Sequence, residues 1–196
     1  MSDPEFSYLA SELRTSGRLP SARWCPSPNF GPRPDEDDIS LLVVHNISLP
    51  PEQFGGPYIE DFFRNRLDTS AHSYFREIGD MKVSSHLLIR RDGDVLQFVS
   101  LRDRAWHAGR STFCGREECN DYSVGIELEG ADHIPYTDDQ YRTLVEVARQ
   151  IMVGWPAITE DRITGHSDIA PGRKTDPGPA FDWAYFRRLL GGRSDR

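Results

Sequence analysis

The sequence predicts a single mixed α/β domain in which a central mixed β-sheet is flanked by α-helices, and three observations carry that expectation. One is the nearly continuous apolar, β-branched run ISLLVVHNI (39–47), the pattern of a strand covered on both faces. Another is Asp92-Gly93 between two strand-like runs, 83–90 and 95–99, which signals a hairpin. The third is TDDQYRTLVEVARQIM (137–152), where Thr137 is followed three residues on by Gln140 as in a capping box. Tyr141, Leu144, Val145, Ala148 and Ile151 share one side of that segment, so it reads as an amphipathic helix. At 196 residues the chain suits one domain with a sizeable core.

Taken in order, the opening segment to about Pro34 carries prolines at 20, 26, 28, 32 and 34 and reads as an irregular arm. Residues 1–18 are expected to be an N-terminal extension, 19–190 the domain and 191–196 a short tail. The strand at 39–47 ends in His45 and Asn46, and GGPYIEDFFRNRL (55–67) follows as a helix with Pro57 in its first turn. In YSVGIELEG (122–130), Val124, Ile126 and Leu128 alternate with Gly125, Glu127 and Glu129. Alternation puts Glu127 and Glu129 on one face of the sheet, opposite the apolar face. RITGH reaches His166 as a short strand or turn, and DWAYFRRLL (182–190) closes the chain as a helix. Between them GHSDIAPGRKTDPGP (165–179) shows neither helical nor strand periodicity, so its polar side chains are not the outer face of a regular element.

Composition narrows the partners. Lys and Arg number 23 against 31 Asp and Glu, a formal net charge of -8, which disfavours a broad footprint on nucleic acid or anionic lipid. No stretch approaches eighteen apolar residues and the first twenty contain acids, so neither a membrane span nor a secretory signal is expected and the protein reads as cytoplasmic. Cys25, Cys114 and Cys119 are then expected as reduced thiols. A small substrate is expected, and no obligate protein partner.

Among the residues able to carry chemistry, those at strand ends and on loops anchored to the sheet can converge while the scaffold stays rigid. His72 and His133 sit in polar surroundings and read as solvated. Two histidines and a carboxylate complete the protein ligands of a catalytic zinc and leave a fourth position for water; His45, His166 and Asp176 would fit. Such a metal acidifies water and polarises an amide carbonyl. A carboxylate must then take and return the proton, for which Glu127 is placed, and Lys174 would offset charge on the carbonyl oxygen. Spacing alone leaves open the alternative in which His45 is a core histidine, Glu127 a surface residue and the loop pairs with itself. A Ser/His/Asp mechanism finds no G-x-S-x-G elbow.

Longer words in the sequence add to this. LLVVHNISLPPEQFGGPYI, RRDGDVLQFV, RAWHAG, CNDYSVGIELEG, YTDDQY and GHSDIAPGRKTDPGPAFDWAYF, in this order over about 19–190, closely resemble the zinc amidase family that includes phage T7-type lysozyme and peptidoglycan recognition proteins. The resemblance is strongest to its cytoplasmic branch, which cleaves 1,6-anhydro-N-acetylmuramic acid from the L-alanine of a stem peptide during peptidoglycan recycling. It implies one Zn2+ per chain on His45, His166 and Asp176, Glu127 acting on the attacking water, Lys174 at the oxyanion, and a cleft bordered by Asn46, Trp106 and His107. The implied partner is a small anhydromuropeptide, not nucleic acid, membrane or another protein. Lys82 and Glu118 stand where the family pattern has arginine, and Glu118 would alter peptide preference if that position meets the stem peptide. A binding module that has lost catalysis is disfavoured because all three candidate ligands are present, and an exported enzyme acting on intact murein because no signal segment is expected.

Overall fold

Side chains alternating between the two faces of one sheet organise the molecule. The computed structural model describes residues 4–192. Helix α1 (Pro4–Ser16) is followed by the short strands β1 (Arg23–Trp24) and β2 (Phe30–Gly31), then by β3 (Leu41–Ile47), α2 (Tyr58–Phe63) and α3 (Ser73–Ile78). The hairpin of β4 (Leu87–Ile89) and β5 (Val95–Gln97) leads through β6 (Arg104–Ala105), β7 (Thr112–Phe113) and β8 (Arg116–Glu117) to β9 (Ser123–Glu129). Helix α4 (Asp138–Gly154), β10 (Ile163–Gly165), α5 (His166–Ile169) and α6 (Trp183–Gly191) complete the order.

The main sheet has the order β1-β5-β4-β9-β3-β10. Strands β4, β9, β3 and β10 run parallel, and β5 turns back antiparallel to β4, so the sheet is mixed as expected. One face packs Leu42, Val44, Leu87, Ile89, Val124, Ile126 and Leu128 against Leu144, Val145, Ala148 and Ile151 of α4 and Phe186 and Leu190 of α6. Each such side chain contributes about 1.5–3 kcal/mol on burial, which makes this layer the principal core. Thr137 and Gln140 cap α4 reciprocally, and the Gln140 amide also donates to the Glu129 carbonyl at 2.9 Å, tying the helix start to the end of β9.

The opposite face is divided. Leu88 and Leu96 pack with Phe62, Phe63 and Phe75 under α2 and α3, while Leu41, Val43, Tyr122 and Ile169 form a smaller cluster. The same face carries His45 and Glu127 as register neighbours near the C-terminal ends of β3 and β9. This is the end of a parallel sheet where loops converge and ligands bind.

Two stretches depart from the sequence expectation. Residues 4–16 are a helix, not an irregular arm: Leu13 is fully buried against the α4 layer with Leu9 beside it, and Arg14 Nε donates to the Gly154 carbonyl at 2.6 Å. Tertiary packing at that i, i+4 pair decides the conformation of a segment too polar to declare itself. Gly17, at φ +64°, ends the helix, and the buried amide of Gln97 accepts from Leu19 N at 2.9 Å and donates to the Gly17 carbonyl at 2.7 Å. The other departure is a helical turn, α5, at the start of the 165–179 loop: the Asp168 carboxylate accepts from Gly165 N at 2.9 Å and Thr164 Oγ1 at 2.8 Å. Helix α6 runs into the expected tail at Gly191, and 193–196 of that tail lie outside the described residues, as do 1–3 of the extension.

Leu13→Ala should lower the unfolding free energy by about 2–5 kcal/mol in urea titrations, the cost of a cavity between α1 and α4. A change below about 0.5 kcal/mol would show that α1 contributes nothing to the core.

Candidate metal centre

Three elements deliver the site. His45 leaves β3 on the face shared with Glu127 of the neighbouring β9. His166 is the first residue of α5, directly after β10, which pairs with β3 on its other side. Asp176 arrives from the loop beyond α5, held by Ser167 N donating to the Asp176 carbonyl at 2.9 Å. Asn46 assists by donating its amide to the Pro177 carbonyl at 3.1 Å and to Asp132 at 2.8 Å.

The result is a tight triangle. His45 Nδ1 and His166 Nδ1 are 3.0 Å apart, and Asp176 Oδ2 lies 3.1 Å from the first and 3.0 Å from the second. Both histidines are buried. Burial holds the His45 imidazole neutral by lowering its pKa to about 4, the Asp176 carboxylate beside it opposing that shift. His166 Nε2 lies 3.0 Å from the Ala108 carbonyl, which only accepts, so that nitrogen carries the ring proton. That tautomer leaves His166 Nδ1 as an acceptor facing the Asp176 carboxylate, an arrangement that a bound cation would satisfy. These three donor atoms, all within 4.8 Å of one another, therefore fit a metal ion, and two histidines with a carboxylate are a donor set suited to zinc.

Glu127 stands beside this triangle. It is 9 % exposed, and its Oε2 has no hydrogen-bond partner among the described residues. Burial, then the negative charge of Asp176, push its carboxyl well above the ordinary value, while Lys174 pulls it down. Lys174 itself is exposed on the loop. Glu129, on the same sheet face, is structural instead: buried, it pairs with Arg90 at 3.2 Å and accepts from Gly55 N at 2.7 Å and Arg91 N at 3.2 Å.

Other sequence candidates fall around or away from this centre. Trp106 is half-buried and its backbone is bonded to Ser84. His107 has both ring nitrogens engaged, Nδ1 at 2.9 Å from His45 Nε2 and Nε2 at 3.0 Å from Ser123 Oγ. His72 accepts from Tyr74 N at the start of α3, and His133 is exposed. Lys82 is exposed, and Glu118 is exposed and pairs with Arg104 at 3.5 Å. All three cysteines are free. Arg173 donates its guanidinium to the Ala108 and Arg110 carbonyls at 2.6 and 2.7 Å, as loop hydrogen bonding predicts. Sequence reasoning missed Asn120, whose Oδ1 accepts from His107 N and Ala108 N at 3.1 and 2.8 Å, because it acts through backbone groups brought in by the fold.

Two histidines and a carboxylate converge here beside a second, buried carboxylate near the ends of parallel strands, a donor set of the kind that can serve metal-assisted hydrolysis. The family model for N-acetylmuramoyl-L-alanine amidase matches residues 35–179. The chain is 56% identical over 178 residues to 1,6-anhydro-N-acetylmuramyl-L-alanine amidase AmpD of Salmonella typhimurium strain SL1344, covering 91% of this chain and 95% of that one. The crystal structure of a Se-Met AmpD derivative superposes with a TM-score of 0.87 at 55% identity, covering 89% of this chain and 97% of that chain. A complex of the amidase AmiD from E. coli with anhydro-N-acetylmuramic acid-L-Ala-D-gamma-Glu-L-Lys superposes with a TM-score of 0.57 at 29% identity, covering 78% and 57% of the two chains. The chain belongs to the N-acetylmuramoyl-L-alanine amidase family.

Zinc added to metal-free protein at a hundredfold excess over its dissociation constant should stabilise the fold by about 2.7 kcal/mol, read as a rise in Tm. Asp176→Ala should lose that rise; an equal rise in the variant would place the ion elsewhere.

Proposed function

We propose that the protein is a zinc-dependent amidase that hydrolyses the bond between the lactyl carbonyl of 1,6-anhydro-N-acetylmuramic acid and the L-alanine nitrogen of the stem peptide. The reaction would serve peptidoglycan recycling in the cytoplasm, a setting suited to three free thiols. Among the described residues no helix is long and apolar enough to cross a membrane. The observation that carries the reading is the convergence of His45 Nδ1, His166 Nδ1 and Asp176 Oδ2 beside the buried, unpartnered Glu127. The substrate follows from the similarity to AmpD and from the anhydromuropeptide held by AmiD.

Zinc on those three atoms would supply Lewis acidity, acidifying a water molecule and polarising the scissile carbonyl. The remaining work falls to side chains of this chain. Glu127 takes the proton from the attacking water and returns it to the departing alanine amine, so that the lactyl carboxylate and a free stem peptide leave. Its Oε2 is buried without a hydrogen-bond partner among the described residues. The Lys174 ammonium balances the charge that grows on the carbonyl oxygen. Asn46 and Trp106 border the cleft; His107, with both nitrogens engaged, would meet substrate only through ring carbon. Residues 19–190 form the catalytic domain, and α1 within the 1–18 extension buttresses α4 from outside it.

Mass spectrometry of the products should show free stem peptide and anhydro-N-acetylmuramic acid, and Glu127→Gln should lose about 10²–10⁴ in rate. Full activity in that variant would reassign the base. Because the base must be ionised, the acid limb of kcat/KM should follow the Glu127 pKa, which the Lys174 charge lowers. Lys174→Met removes the charge that lowers that pKa, so its limb should move to higher pH; a limb moving to lower pH would contradict the assignment.

A further inference from the structure

Metal binding through Nδ1 demands that each histidine carry its ring proton on Nε2. The Ala108 carbonyl enforces this for His166, at 3.0 Å from Nε2. For His45 the structure offers a different device. Its Nε2 meets His107 Nδ1 at 2.9 Å, and His107 Nε2 meets Ser123 Oγ at 3.0 Å. An imidazole and a hydroxyl can each donate or accept, so the chain has two polarities. With the serine hydroxyl donating inward, His45 Nδ1 would hold a proton and be useless to a metal. With His45 donating outward to His107 and His107 to Ser123, both Nδ1 lone pairs face Asp176.

We propose that the His107–Ala108 dipeptide is a positioning clasp for both metal-binding histidines, His107 accepting from His45 and passing its own proton outward to Ser123, while the Ala108 carbonyl orients His166. The inference rests on the metal reading above and deepens it. Three observations show that the clasp is built. Asn120 Oδ1 accepts from both backbone N–H groups of the dipeptide, at 3.1 and 2.8 Å. The His107 ring lies flat on β9 where Gly125 separates Ser123 from Glu127, and a Cβ there would come within 2.5 Å of the ring. Arg33, buried and donating to the Ser123 carbonyl at 2.9 Å, fixes the far end, and Arg173 fixes the Ala108 carbonyl at 2.6 Å.

A packing role and a tautomer role predict opposite orders for two variants. His107→Phe fills the space over Gly125 but removes the acceptor, whereas His107→Asn leaves a gap but can place an amide oxygen where Nδ1 was. Chelator competition on the metal-free full chain should show zinc affinity falling about 10–100-fold in His107→Phe and largely restored in His107→Asn. Ser123→Ala should weaken it less than tenfold and shift the visible absorption of the cobalt-substituted protein. Should His107→Phe fail to fold, the Asn and Ser123→Ala variants decide the matter by the same readouts. Zinc affinity within twofold of wild type in His107→Phe, with His107→Asn the weaker binder and Asp176→Ala binding none, overturns the clasp and leaves the metal site standing. Wild-type protein that binds no zinc overturns both.

Discussion

Everything at the functional end of this molecule depends on three atoms brought together: two imidazole nitrogens and one carboxylate oxygen, each about a hydrogen-bond length from the others. Burying such donors costs free energy unless a cation compensates them. The fold supports the arrangement from behind, because β9, β3 and β10 run parallel and end together. His45 thereby gains Glu127 on one side and His166 on the other, and only Asp176 has to be carried in by a loop.

The two carboxylates of the site sit in different surroundings. Asp176 lies between two histidines, while Glu127, buried and facing that negative charge, has its pKa raised. Among the described residues Oε2 of Glu127 has no hydrogen-bond partner, which costs about 1–3 kcal/mol of stability.

Much of this was legible in the sequence. Alternation in SVGIELE placed Glu127 and Glu129 on one face, the Thr137–Gln140 pair marked the start of α4, and Asp92-Gly93 gave the hairpin, though its strands are only three residues each. Spacing could not say that residues 45, 166 and 176 meet, since that depends on parallel pairing of strands far apart in sequence, and longer sequence words were needed to choose them. What stayed hidden acts through the backbone or through tertiary contact. Helix α1 declares itself only where Leu13 meets α4, and the partners of both histidines come from a dipeptide whose orientation is set by Asn120. Glu127 and Glu129 look alike in sequence, and only the contacts with Arg90, Gly55 and Arg91 show that Glu129 is structural.

The central claim, that these three atoms form a metal centre, is tested most directly by diffraction from crystals of the protein grown with zinc, recorded on both sides of the zinc absorption edge. One strong anomalous peak is expected within about 2.0–2.2 Å of His45 Nδ1, His166 Nδ1 and Asp176 Oδ2. A triangle without a peak, or an ion bound through His45 Nε2, would contradict it.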